Sequence, residues 1–181
     1  MEAVECHGLD NPDQVFFYEQ DFYVLSNFSA FQVAWDGKTF PTSEHAYHWA
    51  RFQPIIDISR GPLAGPLSWN VARAIADEIL KAPSAHEAFR LAQIGKPFQR
   101  ADWDAVKVET MGRILRMKAA QHEYVRRKLL ATGERELIEN SWRDDFWGWG
   151  PNRDGQNMLG KVWMEVRTEL REQAASLGLA A

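Results

Sequence analysis

The sequence predicts an α+β fold: a single helix-rich domain with a small antiparallel β-sheet built from an N-terminal hairpin. Three observations carry that expectation. Asp36-Gly37 lies between FQVAW and KTF, and an Asp-Gly pair between two strand-like runs is a preferred two-residue hairpin turn. In the second half, Met111, Ile114, Leu115, Val125 and Leu129 recur at helical spacing and draw one apolar stripe. No internal repeat or linker divides the chain, and 181 residues suffice for one core.

The elements follow in order. Residues 1–14 are polar and read as a flexible N-terminus, the domain spans 15–172, and 173–181 form a tail. VFFY, residues 15–18, is a short strand. After the hairpin, Pro41-Thr42-Ser43 opens a helix to about Phe52, with Thr42 or Ser43 as its N-cap. Residues 53–69 carry three Pro and two Gly and read as a loop or insertion. Asn70 caps a short helix that buries Val71, Ile75 and Ile79. Ser84 and Glu87 make a capping box for the next helix, which ends near Gly95 and Pro97. One long helix runs from about 104 to 131, closed by Gly133. ELIE, residues 136–139, reads as a strand. A last helix, from about 157 to 174, buries Leu159, Val162, Val166 and Leu170.

Composition narrows the function classes. A net charge of -4 argues against a broad basic face for nucleic acid. Cys6 is the only cysteine, which excludes a disulfide framework and a cysteine-based metal site. No apolar run approaches the roughly 20 residues of a membrane span, and MEAVECHGLD lacks the order of a signal peptide. A cytoplasmic protein without a membrane partner is expected. Eight Trp, ten Phe and four Tyr make 12% of the chain; large aromatics are often core, and they also line pockets that stack flat rings.

Several residues could carry chemistry. Glu44 stands in a first helical turn, where a carboxylate is favoured by roughly 0.3–1 kcal/mol with no function implied. Trp35, Phe40, Tyr47 and Trp49 surround it in sequence, and apolar walls suit a catalytic acid or base. His45 and His48 lack the i, i+4 spacing of a helical metal pair, so no metal is expected. Lys118 falls on the axis of the apolar stripe, seven residues after Met111 and seven before Val125. A lysine there must pair, snorkel or lose its proton; it serves either a structural pair or a phosphate- or sugar-binding pocket. DDFWGWG brings Asp144, Trp147 and Gly148 into a loop that allows close backbone approach. Trp103 is either a staple onto the long helix or one wall of a base slot.

Taken together, these segments resemble the NADAR family of YbiA-like N-glycosidases. The matching blocks are FFYEQDFYVLSNFSAFQVAWDGKTFPTSEHAYHWARF, APSAHEAFRLAQ with RADWDAVK, MGRILRMKAAQH, and DDFWGWGPNRDGQNMLGKVWMEVRTEL. They extend from about Val15 to Leu170. The resemblance implies cleavage of a ribose C1–N bond without a cofactor. Two substrates are implied: phosphoribosylamino-pyrimidine intermediates of riboflavin biosynthesis, or ADP-ribose on guanine in DNA. The alternative is a non-catalytic ADP-ribose- or nucleotide-binding module. The family's catalytic positions fall on Glu44, Asp144, Lys118 and Lys38. Its substrate-binding positions fall on Ser26, Asn27 and Phe28 of S-N-F, on His45, Arg51 and Trp103, and on Trp147, Gly148 and Asn157. His48 and Arg51 stand where the family pattern has Gln and Lys.

Overall fold

The computed structural model describes residues 8–18, 20–53 and 66–178. Residues 54–65, most of the proline-rich segment, lie outside the described residues, as do 1–7 and 179–181. The elements are β1 (Gln14–Phe17), β2 (Val33–Trp35), β3 (Lys38–Phe40), α1 (Ser43–Ala50), α2 (Pro66–Lys81), α3 (Ala85–Ile94), α4 (Trp103–Gln121), α5 (Glu123–Ala131), β4 (Glu136–Glu139) and α6 (Met158–Ser176). They fall into two compact units: a central one, residues 30–117, and a terminal one made of the segments up to 29 and from 118 onward.

In the central unit the hairpin forms as its turn residues require. Asp36 and Gly37 both have positive φ, 51° and 70°, and Val33 pairs with Phe40 in antiparallel register. Thr42 caps α1, its Oγ1 accepting from the His45 N–H at 3.4 Å. Every residue of α1 is buried. α1, α2 and α3 pack pairwise, and both hairpin strands pack on α1. Ala76, Ala88 and Ala92 are nearly or fully buried, and their small side chains let helices approach closely. Two expectations change here. α2 begins at Pro66, before Asn70, because a proline in a first turn gives up only an N–H that has no helical partner. Asn70 is therefore an exposed interior residue and no cap. Only half of the capping box forms: Ser84 Oγ accepts from the Glu87 N–H at 3.1 Å, while the Glu87 carboxylate turns to Arg90 at 2.6 Å.

In the terminal unit β1 and β4 pair in parallel, Gln14 opposite Glu136 through Phe17 opposite Glu139. α6 covers β4, and α5 packs on α6. The predicted long helix is broken. His122 sits at φ -124°, ψ 104°, ending α4 and starting α5. Gln121 and His122 add no apolar side chain to the stripe, so no packing enforces a continuous helix there. The stripe itself holds within each unit: Ile114 and Leu115 of the central one and Val125 and Leu129 of the terminal one are fully buried, each worth roughly 1.5–3 kcal/mol. α6 buries Leu159, Val162, Trp163 and Val166, whereas Leu170 is only half-buried and the helix runs on to Ser176. Arg167, also buried, donates to Thr132 Oγ1 and to the Arg135 carbonyl at 2.7 and 2.8 Å, just past the C-terminus of α5. No helix among the described residues is long and apolar enough to cross a membrane.

Candidate active site

In the central unit the candidate residues converge on α1. Glu44 is 7% exposed, so it is no solvated first-turn carboxylate. Its Oε1 lies 2.8 Å from His48 Nε2, one helical turn on. The His48 ring is flanked edge-on by Tyr47 at 5.1 Å and Phe89 at 5.7 Å. The expected aromatic wall divides into two groups. Tyr47 packs on Trp103 at 4.9 Å, while Trp35, Phe40 and Trp49 pack on one another. Trp103 is 3% exposed, as a staple residue would be.

His45 is committed within the unit. Its Nε2 lies 3.1 Å from the Ala82 carbonyl and so donates; its Nδ1 then accepts from Thr42 Oγ1 at 2.8 Å. Burial lowers its pKa below the ordinary 6.5, against the opposing pull of that carbonyl and of Glu44. A neutral imidazole with both nitrogens used cannot also bind a ligand. The structure thus gives His45 a supporting role at the α1 cap.

Arg51 is 7% exposed, with Nε donating to Gln99 Oε1 and its carbonyl accepting from the Arg100 N–H at 3.0 Å. Burial lowers its pKa, offset by Tyr47 and Asp104. Gln99 Oε1 fixes one edge of a fork suited to an anionic group. Lys38, at the hairpin end, is exposed, and its Nζ stands 5.6 Å over the Trp49 ring.

In the terminal unit Lys118 is wholly buried. Its Nζ donates to the Ser26 carbonyl at 2.9 Å and to Ser29 Oγ at 2.8 Å. It lies 5.9 Å over the Trp163 ring, whose Nε1 donates to the Leu25 carbonyl at 2.7 Å. Burial lowers its amine from 10.5 to about 7. The lysine therefore ties down the S-N-F turn. Within that turn Ser26 Oγ accepts from the Phe28 N–H at 3.2 Å, Asn27 is buried, and Phe28 stays 43% exposed.

The DDFWGWG loop is shaped by its own acid. Asp144 Oδ1 accepts from the N–H groups of Phe146 and Trp147, both at 2.8 Å, so any chemistry falls to Oδ2. Trp147 is half-buried and meets Phe146 edge-on at 5.1 Å. Gly148 is required by space: a Cβ there would stand 2.8 Å from that of Ser141.

Asn157 has a left-handed backbone, φ 50°, ψ 44°, and makes no side-chain cap. Its Oδ1 accepts from the Glu139 N–H at 3.0 Å and its Nδ2 donates to the Leu137 carbonyl at 2.8 Å. Asn157 thus stands at the N-cap position of α6 while its amide is a peg into β4. Gly160 lets α6 close on that strand, since a Cβ there would overlap the Leu137 carbonyl oxygen.

Sequence reasoning weighed His48 as a metal ligand and as a departure from the family pattern but passed over its pairing with Glu44, and it passed over Ser29 and Gln99. His48 was detectable, as i, i+4 from Glu44 on a helix. Ser29 and Gln99 meet their partners across long stretches of chain, and no local signal announces them.

The comparisons with known proteins agree with this architecture. The N-glycosidase YbiA of Escherichia coli is 33% identical over 150 residues, 83% of this chain and 82% of that protein. An N-glycosidase of Nostoc punctiforme is 33% identical over 167 residues, 91% and 97% of the two chains. A riboflavin biosynthesis protein of Vibrio vulnificus is 35% identical over 162 residues, 88% of this chain but only 39% of that longer protein. The NMR structure of Escherichia coli YbiA superposes with a TM-score of 0.74 at 30% identity, covering 96% and 94% of the two chains. The NADAR domain itself is matched across residues 16–171. The chain belongs to the NADAR family.

Proposed function

We propose that the chain is a hydrolase of N-glycosidic bonds that acts at ribose C1 of a phosphoribosylamino-pyrimidine. One observation carries the reading: Glu44 is a buried carboxylate at a helix start, with one oxygen held at 2.8 Å by an imidazole and the other left to act. The relatives named N-glycosidases support the bond class, and the one named for riboflavin biosynthesis supports the pyrimidine substrate.

Cleavage of the C1–N bond develops positive charge on the sugar, which carboxylates stabilise. Glu44 Oε2 takes a proton from the attacking water. The water oxygen bonds to C1 as the C1–N bond breaks, and the pyrimidine amine leaves with the proton that Glu44 took from the water. Lys38, exposed at the hairpin end, and Arg51 are assigned the phosphate. Lys118, fully enclosed, is assigned to ordering the Ser26–Ser29 turn.

The test is incubation with a phosphoribosylamino-pyrimidine and, separately, with DNA bearing ADP-ribosylated guanine, followed by mass analysis of the released sugar. Ribose 5-phosphate from the first is expected. ADP-ribose from the second alone would move the chain to the DNA substrate, and tight binding of either without turnover would make it a binding module. Glu44→Gln is expected to lose on the order of 10²–10⁴ in rate.

A further inference from the structure

We propose that His48 is a positioning residue for Glu44: its imidazole pins one carboxylate oxygen and so fixes which oxygen faces the substrate. The inference rests on the proposed role of Glu44.

The geometry supplies each step. A carboxylate only accepts, so the 2.8 Å contact places the proton on His48 Nε2. The side chains of His48 and Glu44 are 4% and 9% exposed, so water competes little for the bond. Tyr47 and Phe89 bracket the ring at 5.1 and 5.7 Å with interplanar angles of 61° and 66°, which fixes its plane. His48 Nδ1 is buried and has no hydrogen-bond partner among the described residues. The bond to Glu44 is therefore made by Nε2 alone, and Nδ1 takes no part in it. Glu44 has three side-chain torsions of its own. With Oε1 held from one turn away, the direction of Oε2 is set by the helix.

Two measurements test this. Histidine-selective 15N NMR, with His48 assigned from the H48Q spectrum, is expected to show a protonated Nε2. The Nε2 signal should move in E44Q. An Nε2 that carries no proton, or one that is unmoved in E44Q, overturns the proposal whether or not any substrate is turned over.

Kinetics with the phosphoribosylamino-pyrimidine give the second readout. Gln places an amide donor close to where the imidazole Nε2 lies, Asn is one methylene short, and Leu has no donor. His48→Leu is expected to lose on the order of 10²-fold in kcat, the scale of a misplaced catalytic group, with KM within about twofold of wild type. His48→Gln should recover most of that loss and His48→Asn should not. Equal kcat for the Gln and Asn variants overturns the proposal even if the Leu variant fails to fold. If the wild type cleaves neither this compound nor ADP-ribosylated DNA, the proposed function fails, and the NMR result alone decides the role of His48.

Discussion

Replacing Lys118 with Met tests whether a wholly enclosed amine is held against its ordinary ionisation. The Nζ donates to Ser26 O and to Ser29 Oγ, and burial takes its pKa from 10.5 to about 7. At 1.36 kcal/mol per pH unit, holding the ammonium there costs on the order of 5 kcal/mol. The sign follows from proton counting. Between pH 7 and 10.5 the unfolded chain keeps this proton and the folded chain has shed it. Stability therefore rises with pH across that window, and the full cost is present below pH 7. Integrated from pH 7 to 9, the amine should add about 2 kcal/mol to wild-type stability. Lys118→Met removes that dependence. It also strands two oxygens, but their cost does not vary with pH and drops out of the comparison. Urea unfolding followed by tryptophan fluorescence at pH 7, 8 and 9 reads the difference directly. A gap between wild type and Lys118→Met that stays constant over this range would show that the amine keeps its ordinary ionisation, and the argument from burial would fail.

Other outcomes follow from the same contacts. Asn157→Ala leaves the Glu139 N–H and the Leu137 carbonyl unpaired in a buried place, at about 1–3 kcal/mol for each group; urea midpoints should fall with the m-value unchanged. Gly160→Ala would drive a methyl into the Leu137 carbonyl and should cost more than Gly37→Ala, where nothing lies within 4 Å and the penalty is the roughly 1–2 kcal/mol of a left-handed backbone. Thermal denaturation of the two variants side by side checks the order. Glu44→Gln should abolish most turnover while leaving the melting temperature within a few degrees, since the amide oxygen can still accept from His48.

Much of the candidate site was visible before any coordinates. Glu44 was marked by its helix start and Lys118 by its position on an apolar stripe, because both depend on helical period alone. The contacts of His45 and Asn157 were not legible, because their side chains bond to distant backbone, His45 to Ala82 and Asn157 to β4. A motif shows which residues are present and says nothing of which atoms are already taken.

The sequence by itself determined the local grammar of this protein. The Asp36-Gly37 turn, the Thr42 and Ser84 caps, the buried face of α4 and α5 and the left-handed Gly133 all rest on the conformational preferences of a few adjacent residues. Tertiary structure alone decided the parallel pairing of β1 with β4, the break at His122, the peg of Asn157 and the seat of the Lys118 amine between Ser26 and Ser29. These join positions far apart in the chain, or arise where packing is lost, and their energies come from hydrogen bonds and burial that exist only once the chain has closed on itself.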